Sequence, residues 1–541
     1  MVRKIMGMVI LLMLGASLLL SYSQQAPKSE ISPQDENPSQ ASATENPSTA
    51  DSDHKNAGDA HADEQDGAGP HTKPHTSPDH EHPSDHICPR TRIDPEKAIA
   101  LSIKDCIRLA IEKNLDIATK GLRFHTSLEE ITAKESRFDP VISFGFSQQY
   151  SRTPSTSTLD GALNPQSEYI SGNLSIDQRL LTGGSLSLEL KQSRRWRNST
   201  YSSLNPYYKH DADLILSHPL LKGLWTNQYR LDIIIAKNES EISLEEFKER
   251  VAKIVTDTQN LYWDYFFALN DLAVKRISLR QAQELLKINQ ALVEAGRRTE
   301  EEILQARASV AIREKEVLIA ADAIRDVEDE LKIITNIVED KTYWDKRIVI
   351  TDKPDFTILE PDLTKTLATA LSNRYDLQMA RVDLKNRNIK LALAKNNLLP
   401  TLDLKATFGL NGLGSKYHDS YDTMGTNRYR DWYIGFDVKY PWGNREARAQ
   451  YNQEKDYNEE AILNYKKLEL NAIKEVREAV RNVYTNIKKV NATKTVVALE
   501  LKKLESEFER YKAGLSTSYQ VLEFQEDLAE ARIDYFRALA Q

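Results

Sequence analysis

Trp432-Tyr-Ile-Gly-Phe-Asp-Val-Lys-Tyr-Pro-Trp-Gly-Asn-Arg-Glu-Ala-Arg-Ala-Gln450 joins two kinds of structure in one short run. Trp432, Ile434, Phe436, Val438 and Tyr440 alternate with Tyr433, Gly435, Asp437 and Lys439. Period-two alternation is the pattern of a strand with one apolar face. Pro441 and Gly443 end it, and residues 444–513 then contain neither Gly nor Pro. Seventy helical residues rise about 105 Å, whereas globular helices average about 11–12 residues. A helix of that length needs partners along its whole course.

The same succession occurs earlier in the chain. Residues 224–295 also lack Gly and Pro, and Gly296 and Gly514 mark the two helix ends. After each glycine a second helix-like stretch folds back, 297–338 and 515–541. Ile103 to Phe146 matches Leu363 to Ala406 at a constant shift of 260: Ala110 falls on Ala370, Asp116 on Asp376 and Pro140 on Pro400. A shift of 222 joins Pro219 to Pro441 and Tyr262 to Tyr484, and a shift of 218 joins Ala295-Gly296 to Ala513-Gly514. Order and punctuation agree, so the chain reads as an internal duplication. Each half is helix, strands, very long helix, turn, long helix.

Further strand patterns lie between the helices. Ile142, Phe144 and Phe146 alternate with Ser and Gly, Ile170, Leu174 and Ile176 with Ser, Asn and Asp, and Leu186, Leu188 and Leu190 with Ser, Glu and Lys, with a shorter run at Ala212, Leu214 and Leu216. The second half adds Leu402, Leu404, Ala406 and Phe408. Strands with apolar residues outward and polar ones inward suit a membrane β-barrel with a watery lumen. Trp432, Tyr440 and Trp442 then fit its aromatic girdles. A soluble β-sandwich face gives the same alternation. In a membrane, two to six strands leave an open edge, which lipid does not tolerate. The strands therefore predict a barrel shared between copies, with a shared tube of helices beneath it.

The ends and the composition bound the rest. The chain has 541 residues, 72 Lys+Arg against 80 Asp+Glu, and a net charge of −8; no nucleic-acid partner is expected. Mean hydropathy is −0.54. Arg3 and Lys4 precede an apolar run from Ile5 to Leu20, followed by Ser21 and Ser23. This predicts a signal peptide over 1–23 and an exported chain, an uncleaved anchor being the alternative. Residues 24–97 hold ten of the 19 prolines, no Phe, Trp or Tyr, and 15 acidic against 6 basic residues. They are expected to form a disordered periplasmic tail. His71, His75, His80, His82 and His86, with His54 and His61, make it His-rich. Imidazoles of this kind collect Zn, Cu or Ni ions, or else stand incidentally in a solvated linker; no spacing matches a structural zinc motif. Cys88 and Cys106 are the only cysteines, open to a disulfide or to two free thiols. No Walker, G-x-S-x-G or H-E-x-x-H motif is present, so no enzyme activity and no cofactor is expected.

Three stretches carry a family resemblance over 98–541. Leu101-Ser-Ile-Lys-Asp-Cys-Ile-Arg-Leu-Ala-Ile-Glu-Lys-Asn114, Asn397-Leu-Leu-Pro-Thr-Leu-Asp-Leu404 and Tyr511-Lys-Ala-Gly-Leu-Ser-Thr-Ser-Tyr-Gln-Val-Leu-Glu523 resemble the TolC-type outer-membrane efflux protein family. The resemblance implies a mixed α+β fold: a homotrimeric outer-membrane β-barrel continued by a long periplasmic α-helical barrel, built from repeats over 98–345 and 346–541. It implies a passive conduit of an efflux or type I secretion system. Its partners are then a periplasmic adaptor (membrane fusion) protein, an inner-membrane pump and outer-membrane lipid. A periplasmic coiled-coil protein without a pore is the alternative.

Under that resemblance the turns at Gly296, Arg297 and Arg298 and at Gly514, Leu515 and Ser516 are candidate adaptor contacts; plain helix reversals capped by Gly would look the same. Gln520 and Glu523 fall on two pore-ring positions, Glu302 falls on their acidic partner position, and Ser516 stands where a gate-locking Arg can occur. Tyr262, Trp263, Tyr265, Phe266 and Phe267 read as packing between helices. The first half departs from the family's four strands per copy. Pro140 and Pro219 stand 79 positions apart, against 41 for Pro400 and Pro441. Either each copy gives six strands, eighteen in a trimer, or the extra pair extends beyond the membrane.

Overall fold

The computed structural model describes residues 98–541 except 156–160, 163, 340–342, 355, 357 and 359. The leader, the His-rich tail with His71, His75, His80, His82 and His86, and Cys88 lie outside the described residues. In chain order the elements are β1 (Ala98–Leu101), α1 (Ile103–Lys113), α2 (Leu115–Glu135), β2 (Val141–Arg152), β3 (Gln166–Arg179), β4 (Ser185–Arg197), β5 (Tyr207–Pro219), α3 (Gln228–Glu294) and α4 (Glu300–Thr335). The second half gives β6 (Arg347–Ile350), α5 (Leu363–Asn373), α6 (Tyr375–Asn396), β7 (Thr401–Gly414), α7 (Tyr417–Gly425), β8 (Arg430–Lys439), α8 (Arg445–Lys512) and α9 (Ser518–Ala540). The 260 shift survives as structure: Ile103 and Leu363, Leu115 and Tyr375, and Val141 and Thr401 open equivalent elements.

α3 and α8 have 67 and 68 residues, about 100 Å each. Asn227 starts α3, its side chain accepting from Arg230 N at 2.9 Å, which satisfies an otherwise orphaned amide. Buried positions on α3 recur every three or four residues, among them Ile233, Ala236, Ser240, Ile254, Thr258 and Tyr262. Small side chains on this face let neighbouring helices approach closely. Near the sheet the helices lie in the order α2, α3, α6, α8, and toward the turns in the order α4, α3, α9, α8. α3 and α8 are therefore continuous rods, and the shorter helices flank them above and below.

Six strands form one antiparallel sheet in the order β2-β3-β4-β5-β7-β8. The extra pair in the first half is thus part of the same sheet, paired over its length with β3 and β7. Its entry turn is tied down at the helix side: Trp225 N donates to Thr182 O at 3.1 Å and Asn227 Nδ2 to Leu181 O at 3.0 Å. Gly183 takes φ +104, and a Cβ there would overlap the carbonyl of Gly223. α7 folds back onto β5 and β7, over Gly412 and Gly414, where a Cβ would meet the α7 backbone.

A second core fastens the two halves where they begin. β1 pairs in parallel with β6. Tyr262 and Tyr265 are buried beside Leu101, Cys106, Leu331 and Ile348. Tyr265 OH donates to Ile348 O at 2.8 Å, and Tyr262 OH bonds Asp352 at 3.1 Å. The aromatic cluster is packing, as its sequence pattern suggests. Cys106 is a fully buried free thiol, and burial pushes its pKa up to about 12. At Ile348, Glu328 Oε1 accepts from the backbone N at 3.0 Å and also from Lys332 Nζ at 3.1 Å.

Candidate functional site

The sheet separates two chemistries by register. Ile142, Ile176, Leu188, Leu214, Phe408 and Trp432 form one row across all six strands. The adjacent row, on the opposite face, is Ser143, Ser175, Glu189, Asp213, Gly409 and Asp431. Phe144 is 75% and Trp432 71% exposed, so among the described residues the apolar face is open at these positions; α7 covers it only at one end, over His210 and Gly412. Charges on the polar face are tied to one another. Lys191 reaches Asp213 at 3.4 Å, Lys405 reaches Asp437 at 3.2 Å, and Asn411 donates to Asp431 at 2.5 Å.

Below the sheet, α2, α3, α6 and α8 together line a cleft of about 660 Å³. Its wall includes Glu130, Lys134, Asp232, Lys390 and Glu454. Arg137 pairs with Asp232 at 2.6 Å where the helices meet the sheet. The polar lining thus continues from strand to helix. Among the described residues no cluster of His, Cys, Asp or Glu is placed to hold a metal ion, and no helix is long and apolar enough to cross a membrane.

At the far end the two turns are built alike. Gly296 and Gly514 take φ +69 and +77. Gly296 N bonds Val293 O and Arg297 N bonds Leu292 O; Gly514 N bonds Tyr511 O and Leu515 N bonds Arg510 O. Both are Schellman caps, which need a left-handed residue at the glycine position. The next helices start at Thr299 and Thr517.

Arg298 joins one turn to the other. It pairs with Glu302 at 3.1 Å, donates to Ser516 O at 2.9 Å, and stands 5.1 Å from the Tyr511 ring centre. Tyr511 OH bonds the buried Asn289 at 2.5 Å, and burial raises its pKa above the usual phenol value. Ser516 Oγ bonds the buried Glu507 and, at 2.9 Å, Gln520.

Of the pore candidates, Glu302 and Gln520 therefore sit in this joint, whereas Glu523 is exposed. Of the docking candidates, Arg298 and Ser516 make contacts inside the chain, and Leu515 is exposed. In the sequence Ser516 stands where a locking Arg can occur; the guanidinium found beside it is that of Arg298. Asn289, Glu507 and Tyr511 were not singled out as site residues. The repeat carried the missing signal, because a shift of 218 sets Arg298 on Ser516, Glu302 on Gln520 and Asn289 on Glu507.

Residues 366–541 match the sequence model of a family described as outer membrane efflux protein. No curated protein matches the chain. Several solved structures are similar. The CmeC outer membrane channel of Campylobacter jejuni is 18% identical, with 81% of this chain and 82% of that one covered and a TM-score of 0.58. A membrane protein from Pseudomonas aeruginosa is 15% identical, with coverage of 83% and 87% and a TM-score of 0.60. The outer membrane protein VceC of Vibrio cholerae is 15% identical, with coverage of 81% and 92% and a TM-score of 0.58. From residue 366 onward the chain carries the sequence pattern of the outer membrane efflux protein family, and its described residues have the fold of the TolC-type channels that it resembles.

Proposed function

We propose that three copies of this chain form the outer-membrane channel of a tripartite efflux or type I secretion system. The channel passively conducts substrates that an inner-membrane pump delivers through a periplasmic adaptor. The reading rests above all on the single sheet, one face apolar and mostly uncovered, the other polar and charged, continued by rods of about 100 Å. The apolar face meets lipid and the polar face lines the lumen. Residues 1–23 serve as leader, 24–97 as periplasmic tail, and 98–345 and 346–541 as the two repeats. Glu302, Gln520 and Glu523 shape the periplasmic pore, with Glu523 free to face the axis, where carboxylates disfavour anions. Gly296, Arg297, Arg298, Gly514, Leu515 and Ser516 form the two turns offered to the adaptor, with Leu515 exposed and the buried Ser516 held by Arg298 within them.

Detergent-extracted protein is expected to have the mass of three copies. In planar bilayers it is expected to conduct in discrete, cation-preferring steps, with the preference reduced by Glu523→Ala. A monomer without conductance would overturn the channel and favour a periplasmic coiled-coil protein.

The two faces predict unequal tolerance to charge. Leu174→Arg places a guanidinium on the apolar face near mid-strand, where Arg costs about 2–4 kcal/mol in a membrane barrel. Ser175→Arg places it on the polar face beside Glu189, at little expected cost. The yield of outer-membrane protein resistant to urea extraction is expected to fall sharply for the first variant only. Equal yields would mean that lipid does not cover the Leu174 face.

A further inference from the structure

The sheet and the helices of one copy have matching widths. Six strands about 4.8 Å apart, tilted by about 40°, occupy an arc of about 38 Å. The four helices beneath, α2, α3, α6 and α8, at interaxial distances of about 8–10 Å, occupy roughly 32–40 Å. A four-stranded sheet at that tilt would span only about 25 Å and leave the helices overhanging it.

The free edges also correspond. On one side α2 leads directly into β2; on the other, β8 leads directly into α8. Uncovered apolar residues at heptad spacing mark both edges: Leu115 and Leu122 on α2, Leu463 and Leu470 on α8, each 65–68% exposed. Toward the turns the edge helix α4 exposes Ile312 and Ile319. A spacing of seven is the seam of a helix that packs along a second helix. The chain runs toward the sheet in α2 and away from it in α8, so the seams meet antiparallel. The strands alternate in direction from β2 to β8, so β8 beside a second β2 continues the antiparallel order.

We infer that the occupant of each edge is a second copy of this chain, joined head to tail. β8 and α8 of one copy pack against β2, α2 and α4 of the next. All six strands of every copy enter the barrel wall. This rests on the trimeric channel proposed above, and it sets the gauge of that channel. Three copies give an eighteen-stranded barrel about 36 Å across its backbone, against about 24 Å for twelve strands at the same tilt. Eighteen strands leave an open aqueous channel rather than a side-chain-filled core. The outer mouth is then about 1.5 times wider, measured across the backbone, than a twelve-stranded wall.

Electron cryo-microscopy of the detergent-extracted full chain tests this directly. A cross-section through the barrel is expected to show eighteen strands, with β8 beside the β2 of the next copy. A trimer with twelve wall strands, and with Ser185–Pro219 outside the wall, would overturn this inference and leave the channel standing. A monomer would overturn both.

Discussion

Arg298→Ala is expected to raise the resting conductance of the reconstituted channel at least tenfold. The substitution removes three contacts at once: the pair with Glu302, the bond to Ser516 O and the stacking on Tyr511. Hydrogen bonds to a charged group contribute about 1.5–3 kcal/mol each. The pair is partly exposed, with side chains at 18% and 17%, so water screens it and lowers the figure. A net loss of about 2 kcal/mol per copy remains, a factor of about 30 in the balance between joined and parted turns. Arg298→Lys keeps the charge and loses the planar fork, since an ammonium cannot serve Glu302, Ser516 O and the ring together. Its conductance is expected to lie between the two. Unchanged conductance in Arg298→Ala would show that the joint between the turns does not limit flow.

The second large effect is on stability. Glu328 and Lys332 are 6% and 4% exposed, and they sit where β6 packs on α4. Glu328→Ala strips the β6 amide of Ile348 of its acceptor and leaves the buried Lys332 ammonium with Trp344 O at 2.9 Å and the more distant, exposed Asp329 at 3.9 Å. Breaking a buried pair from one side costs about 3–5 kcal/mol. Replacing both partners by apolar residues of similar volume is far milder. Glu328→Ala is therefore expected to speed protease cleavage of the segment between α4 and α5 by a factor of a hundred or more. Glu328→Leu/Lys332→Met is expected to recover most of the resistance. Equal resistance in Glu328→Ala and the unaltered chain would mean that the pair does not hold β1 and β6 in place.

Much of this architecture was legible in the sequence because its signals are long. Seventy residues without Gly or Pro leave one regular conformation available, and the shift of 260 locates the opening helices and first strand of each half twice. The strands showed through alternation, and the 79 positions from Pro140 to Pro219 left room for the extra pair. β5 was read short, from Ala212 to Leu216, because polar Lys209, His210 and Asp211 break its pattern. His210 sits on the apolar face but is buried beneath α7, with Ser420 at 2.7 Å. α7 itself went unread. Nine residues, mostly polar and without a side-chain cap, carry almost no periodic signal; their trace is the pair Gly412 and Gly414, which make room for the helix. The joint at the turns was half legible. Caps are local and showed as glycines, but Arg298 meets Ser516 across 218 positions, and only the repeat register connects them.

The rods that carry the turns have a mechanical consequence. Neither α3 nor α8 contains Gly or Pro between its first and last residues, so neither has a preformed site at which a kink would concentrate. Such a helix bends gently along its whole length. A sideways displacement of about 5 Å at the end of a 100 Å rod is a rotation of only about 3° at its root. The turns can part without disturbing the strands. The end that carries the turns is thus the moving part of a long lever, and the sheet is its nearly stationary pivot.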